Sequence, residues 1–186
     1  MSGGADDAAQ RLLGAVLATG SGLDRASGMI VETEAYLGPH DDASHAAART
    51  GRTKRNEAMF GPPGSLYVYI SHGIHHCANV VTGEPGYPAA VLIRALAPTG
   101  GEGLMTARRG RSQDLCTGPG RLAQALGISM ADNGVMLNEG RVRLEAGRRF
   151  ASSEIGHSPR IGISRAKNLP LRFFVRGHPD VRRPRW

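Results

Sequence analysis

Hydrophobic and polar residues follow two periods along this chain, one typical of helices and one typical of strands. Apolar residues recur at helical spacing from Asp7 to Thr19 and Gly20 follows as a stop, so the pattern predicts a first helix there. Two further helices are predicted over 102–109 and 118–126, the second of which opens at a Gly-Pro-Gly turn.

Short apolar runs bounded by turn residues predict the strands. One strand is predicted over 29–36, and two more over 66–70 and 74–81 are joined by a short turn, which predicts a β-hairpin. Further strands are predicted over 89–96, 142–144, 160–163 and 171–176. Antiparallel strands with a few helices indicate a single domain of mixed α/β (α+β) class over 7–186, after a flexible N-terminus over 1–6.

The composition fits one packed domain. Of 186 residues, 40% are hydrophobic, which suits a sizeable core and argues against a disordered chain. No apolar run reaches membrane-spanning length, and the N-terminus lacks the basic and apolar regions of a signal peptide. Cys77 and Cys116 are too few for a disulfide framework and suit a reducing compartment. We therefore expect a cytoplasmic protein, associated with the nucleoid if it is bacterial.

The charge of the chain favours a polyanionic partner. The 23 basic and 16 acidic residues give a net charge of +7 and an isoelectric point near 10.2. Such a charge favours nucleic acid, although many basic proteins bind none. The run from Arg49 to Asn56 is either a solvated loop or a phosphate-binding loop, and Arg182–Trp186 is expected to be a solvated tail.

The stretch from residue 30 to His45 has the highest concentration of side chains that could take part in catalysis. Because side chains alternate along a strand, one face is expected to hold Ile30, Glu32, Glu34 and Tyr36. The opposite face, which is apolar enough to pack on a core, would consist of Val31, Thr33, Ala35 and Leu37. Two carboxylates beside a tyrosine are costly to bury without purpose, so the first face is a candidate catalytic site.

Two other strands add to this candidate site. Arg94 interrupts an apolar strand, and a charge there needs a carboxylate, a bound water or an anion as its partner. Tyr67 and Tyr69 share one face of a strand, where tyrosines more often serve packing than ligand binding. Combined with the carboxylates and the basic loop, however, such stacking faces are what an enzyme needs to extract a base from DNA and cut its glycosidic bond.

A cluster of histidines raises the alternative of a metal centre. It consists of His40, His45, His72, His75 and His76. Their spacing matches no recognised zinc or iron motif, and two adjacent histidines on a strand would point to opposite faces. The sequence also has no nucleophile elbow and no nucleotide-binding glycine fingerprint. We therefore expect neither a metal nor a cofactor.

Several longer motifs, spread in order over nearly the whole chain, carry a family resemblance. They comprise residues 30–45, Arg52-Thr53, Arg55-Asn56, Met59-Phe60, 66–69, Gly73, Asn79, 91–96, Gly118-Pro119, 124–126 and 171–173. On these motifs the sequence resembles the methylpurine (3-methyladenine, or alkyladenine) DNA glycosylases.

The resemblance implies a function and a fold. Such enzymes hydrolyse the N-glycosidic bond of alkylated or deaminated purines (3-methyladenine, 7-methylguanine, hypoxanthine, ethenoadenine) that are flipped out of double-stranded DNA, which initiates base excision repair. The resemblance implies no strand cleavage, cofactor or metal. The implied fold is a single domain around a curved antiparallel β-sheet flanked by helices, with a β-hairpin that inserts into DNA. We expect a monomer without membrane association.

The resemblance also assigns roles in catalysis. Glu34 matches the general base, a choice over Glu32 that the residues alone do not make. Arg94 and the backbone carbonyl of Ile161 match groups that help to hold the attacking water.

Four side chains match the pocket for the flipped base. Tyr36 matches one stacking face and Tyr69 lines another side. His45 matches the residue that hydrogen-bonds the base, and Asn79 matches the side chain that disfavours the exocyclic amino group of guanine.

Residues at DNA-contacting positions are Arg52, Thr53, Arg55, Met59 and Arg121. His72 departs from the family, which usually has a tyrosine that wedges into the duplex. The smaller imidazole fills the vacated position less well, and its protonated form would attract phosphate, so we expect weaker and more pH-dependent flipping.

Two other hypotheses stay open at this point. A damaged-DNA-binding protein without catalysis would keep the basic surface and the tyrosines, but it would not need Glu34, Arg94 and His45 together. A metal-dependent hydrolase would use the histidine cluster, and chelator-insensitive base release would exclude it.

Overall fold

The computed structural model describes residues 4–181, which form one α+β domain with a curled antiparallel sheet. Within that range the helices are α1 (Ala5–Leu12), α2 (Glu102–Arg109) and α3 (Pro119–Leu126). The strands are β1 (Val16–Thr19), β2 (Ala26–Tyr36), β3 (Leu66–Ser71), β4 (His75–Val81), β5 (Ala90–Gly100), β6 (Val142–Glu145), β7 (Ile155–Ser158) and β8 (Arg172–Val175). No helix of this part of the chain is long and apolar enough to cross a membrane.

Strand β2 is the centre of the sheet. The strand order is β3-β4-β5-β2-β1-β6, and β8 also pairs with β2 and carries β7 at its other edge. All these pairings are antiparallel. The C-terminal half of β2 therefore lies between β5 and β8, with partners on both sides. The predicted fold class is confirmed.

The hydrophobic core lies between one face of the sheet and the helices. Helix α1 packs on β2, and α3 packs on β4 and β5. Residues that are fully buried there include Leu17, Ile30, Val91, Ile93, Leu122 and Leu126. Each such aliphatic side chain contributes about 1.5–3 kcal/mol by leaving water.

Most predicted elements are confirmed, including the helices at 102–109 and 118–126 and the hairpin of β3 and β4. The helix predicted from Asp7 to Thr19 is wrong beyond Leu12, because Gly14 turns the chain with a φ of +90° and residues 16–19 form β1. A short apolar run does not distinguish helix from strand by its pattern.

Two other expectations differ from the structure or fall outside it. The strand predicted over 160–163 is wrong, since these residues form an irregular loop whose polar groups contact side chains instead of a neighbouring strand. Helix α1 begins at Ala5, inside the segment 1–6 that was expected to be flexible. Residues 1–3 of that segment and the tail 182–186 lie outside the described residues.

A pair of β-bulges corrects the predicted faces of β2. Pairing with β5 skips Val31 on one strand and Arg94 on the other, after which the register resumes. Ile30 therefore lies in the main core, whereas Val31 packs in a small cluster with Ala95 on the opposite side. The alternation that predicted Ile30 beside Glu32 is wrong, because a bulge shifts the following side chains to the other face.

Candidate active site

A row of paired residues crosses four strands on the face opposite the main core. Tyr67 of β3 is paired with Asn79 of β4, and Asn79 is also paired with Leu92 of β5. Leu92 is in turn paired with Glu34 of β2. Directly paired residues of antiparallel strands point to the same side of a sheet, so the pleat gathers these residues from distant parts of the sequence.

A cavity of about 450 Å³ lies over this face, within the size range of small-molecule sites. The sequence-predicted residues that line it are Tyr36, His45, Arg55, Met59, Tyr69, His72, Asn79, Arg94 and Ile161. Glu34 lies behind three of them, whereas Arg52, Thr53 and Arg121 stand outside the lining. The structure thus brings most of the predicted site together.

Glu34 is fully buried, and three polar groups hold its carboxylate. Oε1 lies 3.2 Å from Nη1 of Arg94 and accepts a 2.8 Å hydrogen bond from the amide of Ile161. Oε2 accepts a 3.1 Å hydrogen bond from the hydroxyl of Tyr36. Ile161 therefore meets Glu34 through its N–H, whereas the family resemblance pointed to its carbonyl.

The surroundings of Glu34 shift its pKa. Burial raises the pKa of Glu34 above its ordinary value, and the Arg94 charge and the hydrogen bonds from Ile161 and Tyr36 offset this only in part. A carboxylate whose pKa is moved toward neutrality accepts a proton more readily than an ordinary one, which suits a general base.

Of the three kinds of partner that the sequence left open for Arg94, the structure supplies carboxylates. Its Nε donates to Glu32 at 3.0 Å, while Nη1 reaches Glu34 at 3.2 Å. Glu32 also accepts a 2.7 Å hydrogen bond from Nε of Arg172. Burial lowers the pKa of Arg94, but the charges of Glu34 and Glu32 raise it by more, so the guanidinium stays charged.

Tyr36 connects the carboxylate to the cavity. Its hydroxyl donates to Glu34, and the guanidinium of Arg160 lies over its ring at 4.7 Å. Burial, followed by the Glu34 charge, raises the pKa of Tyr36, so the phenol stays protonated and remains a donor.

Three rings form an aromatic wall of the cavity. His45 stands edge-on to Tyr69 with ring centroids 4.4 Å apart, and its Nδ1 lies 3.1 Å from the hydroxyl of Tyr67. Burial and the nearby charge of Arg55 lower the pKa of His45, so the imidazole is neutral at physiological pH. A neutral imidazole can donate a hydrogen bond from one ring nitrogen and accept one at the other.

Asn79 is held rigidly in the sheet face. It is 3% exposed, and its amide nitrogen donates to the carbonyl of Tyr67 at 3.0 Å and to that of Cys77 at 3.4 Å. With the nitrogen engaged, the amide oxygen is the group through which Asn79 can meet a ligand.

The basic loop forms part of the cavity rim. Arg55 lines the cavity, lies over the ring of Tyr69 at 5.8 Å and donates to the carbonyl of Ile70. Arg52 instead pairs with Glu57 on the surface. The amide of Thr53 donates to the buried side chain of Asn56 at 2.7 Å, which shapes the loop.

Met59 and Arg121 are not freely exposed surface residues, because each is engaged with neighbouring side chains. Met59 is 2% exposed and packs against Tyr67 and neighbouring apolar residues, because the short helix that carries it folds onto β3. Arg121 lies at the start of α3 with its guanidinium 3.4 Å from Asp114, and it donates to Thr117 at 3.0 Å.

The tip of the β3–β4 hairpin is an exposed turn between the paired residues Ser71 and His75. His72 and Gly73 both have positive φ angles, 51° and 75°, and the amide of Ile74 donates to the carbonyl of Ser71. Positive φ angles at both central positions are typical of type I′ turns, which favour Asn, Asp or Gly. His72 occupies the first of these positions, and Ile74 beside it is 73% exposed.

Sequence reasoning missed several members of the site. Cys77 and Leu92 line the cavity beside predicted residues of the same strands, and alternation from Asn79 and Arg94 would have found them. The buried pair of Asp41 and Arg160 had no signal in the pattern. Across residues 4–181, no three His, Cys, Asp or Glu side chains are grouped so that they could hold a metal ion.

Comparison with known proteins agrees with this geometry. The sequence profile of the methylpurine-DNA glycosylase family matches residues 1–179. A protein of Rhodopseudomonas palustris strain BisB18 is 50% identical over 181 residues, which cover 96% of this chain and 86% of that protein. A Mycobacterium tuberculosis protein is 48% identical over 185 residues, with 94% and 86% covered.

Both relatives are provisionally named 3-methyladenine DNA glycosylase. The family consists of DNA glycosylases, which hydrolyse N-glycosyl bonds. With its profile matched over nearly the full length and relatives at about half identity, this chain belongs to the methylpurine-DNA glycosylase family.

Proposed function

We propose that this protein is a monofunctional DNA glycosylase that removes alkylated or deaminated purines from duplex DNA and so initiates base excision repair. The proposed substrates are 3-methyladenine, 7-methylguanine, hypoxanthine and ethenoadenine. The observation that carries the proposal is a buried carboxylate, Glu34, which Arg94, Ile161 and Tyr36 hold directly behind the lining of an aromatic cavity.

In the proposed reaction a flipped purine stacks on Tyr36, with Tyr69 on another side and His45 and Asn79 within reach of its edge. The bond between C1′ and the base breaks, and the base leaves with the electron pair. A water adds to C1′ and gives its proton to Glu34, whose charge stabilises the cationic sugar. Arg94 and Ile161 orient the carboxylate and the water.

Glu34 has no exposed surface, so access of the water depends on what covers the carboxylate. On the cavity side the cover is Tyr36, Arg94 and the loop that carries Ile161. We propose that this loop, which has no regular secondary structure over 159–171, shifts when the nucleotide binds and admits one water.

The cavity lining supports the proposal of monofunctional action. A glycosylase that also cuts the strand needs an amine to form a covalent intermediate with the sugar. Neither of the chain's lysines, Lys54 and Lys167, lines the cavity, so the nucleophile we propose is water.

Binding of DNA would use the rim of the cavity and the hairpin tip. Arg49, Arg55 and Arg165 line the cavity mouth, and His72 with Ile74 would enter the duplex where the purine leaves. A net charge of +7 favours salt-sensitive, sequence-independent contacts with phosphates. Since the whole cavity is built from one chain, we propose that a monomer acts on the duplex.

The test uses duplexes that each carry one defined lesion. Wild type should release the purine, whereas Glu34→Gln should release none and still bind lesion DNA. Glu84→Gln, which changes an exposed carboxylate outside the cavity, serves as the control and should act like wild type. Full activity of Glu34→Gln would remove Glu34 from the mechanism.

A lesion-binding protein without catalysis is the second candidate, and the full burial of Glu34 is the observation that favours it. It predicts tight binding to lesion duplexes and no base release by wild type at any pH. Release of free purine by the wild-type protein, absent from the Glu34→Gln protein, would exclude this candidate.

A further inference from the structure

Asp41 and Arg160 form an ion pair, beside the site, that the mechanism above does not use. Both side chains are fully buried, and the contact is bidentate, with Nη1–Oδ2 at 2.5 Å and Nη2–Oδ1 at 2.8 Å. The two residues are 119 positions apart in the sequence. The pair thus joins two loops that have no strand or helix to hold them together.

On one side the pair controls what touches Glu34. Nη1 of Arg160 also donates to the carbonyl of Ala35 at 2.8 Å, and its guanidinium covers one face of the Tyr36 ring. The next residue along the chain, Ile161, donates its amide to Glu34 at 2.8 Å. Two of the three groups that hold Glu34 therefore lie directly against Arg160.

On the other side the pair shapes the loop that leads to His45. Asp41 accepts hydrogen bonds from the amides of Leu37 and Ala43, both at 3.1 Å. These bonds fix the turn after β2, from which the chain runs to the aromatic wall. One carboxylate and one guanidinium thereby connect the end of β2, the loop of His45 and the loop of Ile161.

A contribution to the stability of the fold does not by itself explain why this buried ion pair is present. Burying two charges carries a desolvation penalty that can exceed their attraction, and apolar residues of similar volume often replace them without loss. Nε of Arg160 has no hydrogen-bond partner in the described part of the chain, although most buried polar atoms have one. A geometric role explains why an arginine occupies this position.

We propose that Asp41 and Arg160 are positioning residues that set the amide of Ile161 and the ring of Tyr36 against Glu34. The inference rests on the proposed glycosylase function for its effect on rate, but not for its effect on the carboxylate itself. Arginine suits this task because its planar guanidinium can pair with a carboxylate and stack on a ring at the same time.

The first measurement needs no activity. The ¹³C signal of the Glu34 carboxyl, identified by its absence in Glu34→Gln, is titrated in the full chain. Because the Ile161 hydrogen bond lowers the pKa of Glu34, its loss in Asp41→Asn and in Arg160→Gln should move the titration to higher pH. Arg160→Lys keeps the charge without the bidentate contact and should give an intermediate shift.

The second measurement is single-turnover base release from a lesion duplex. A misplaced catalytic group can cost on the order of 10²-fold in rate, so Asp41→Asn and Arg160→Gln should lose about that much, with far smaller changes in DNA affinity. The acidic limb of their pH–rate profiles should shift upward by the same amount as the carboxyl titration.

Asp132→Asn is the matched control, since it disrupts another buried aspartate paired with an arginine, Arg141, away from the cavity. It should lower thermal stability and leave both readouts unchanged. An unchanged Glu34 titration in the Asp41 and Arg160 variants would overturn the positioning role, as would an equal shift in the control. Absence of base release by wild type would instead overturn the proposed function, and the titration would still decide the role of the pair.

Discussion

Glu32 and Glu34 lie two residues apart on β2, both are almost fully buried, and both contact Arg94, but their surroundings differ. Glu32 accepts hydrogen bonds from two guanidinium groups, those of Arg94 and Arg172. Glu34 has one guanidinium, one amide and one phenol.

The difference teaches that burial alone does not prepare a carboxylate for catalysis. Glu32 is held between two guanidinium groups, and its hydrogen bonds help to keep Arg94 and Arg172 in place. Around Glu34, neutral donors replace the second cation, and burial then raises the pKa of Glu34. We therefore expect the number of charged partners, rather than the depth of burial, to separate the roles of the two carboxylates.

The largest expected effect separates the two carboxylates by rate. Loss of a positioned general base costs about 10²–10⁴-fold, so Glu34→Gln should lower single-turnover base release by at least that range. Glu32→Gln should lower the rate per folded molecule far less, through displacement of Arg94. Equal losses in the two variants would mean that the pair acts as one unit.

The second effect separates them by stability. Removing one partner of a buried ion pair costs about 3–5 kcal/mol, because the remaining charge is left uncompensated. Glu32→Gln should lower the free energy of unfolding by an amount of that order, measured by urea denaturation at pH 7. Glu34→Gln should cost much less, and a larger loss for Glu34→Gln than for Glu32→Gln would contradict the contrast.

The third effect is a pH dependence with a definite sign. Because the pKa of Glu34 is raised in the folded state, its contribution to stability is complete below 4.5 and is lost as the pH rises through the folded pKa. The melting temperature of Glu34→Gln relative to wild type should therefore increase across that window. Base release by wild type should rise over the same window, as Glu34 ionises. Parallel pH curves for the two proteins would argue against a raised pKa.

The smallest effect lies far from both carboxylates. His72→Tyr adds apolar surface at the hairpin tip, so it should tighten binding to lesion duplexes several-fold without changing the Glu34 titration. Because the φ of 51° lies in the left-handed region, where Asn is favoured, His72→Asn should leave the free protein at least as stable as wild type. Equal or weaker DNA binding by His72→Tyr would contradict the wedge assignment.

The sequence predicted those parts of the site whose geometry depends on the local pattern of apolar and polar residues, but not those that depend on distant contacts. The strand that carries Glu34 and the hairpin were foreseeable, and so was a polar partner for Arg94, although the sequence did not decide between a carboxylate, a bound water and an anion. The bulges at Val31 and Arg94 were not foreseeable, because alternation assumes an uninterrupted ladder.

The long-range contacts of irregular segments could not be predicted from the sequence for a different reason. Residues 160–163 resemble a strand in composition, but Arg160 finds its partner at Asp41 and Ile161 at Glu34, and no periodicity encodes such pairs. The same holds for residues 16–19, whose strand character depends on two neighbours, β2 and β6, that lie elsewhere in the chain.

The two bulges cancel one another, since β2 and β5 return to their original register after Thr33 meets Ile93. Deleting either extra residue alone would shift the register of all later residue pairs between β2 and β5. Deleting both would give a smoother ladder, but it would also remove Arg94, whose guanidinium contacts both carboxylates. On the proposed mechanism, a redesign that regularised the sheet would therefore yield an uninterrupted ladder without the arginine that holds the proposed base.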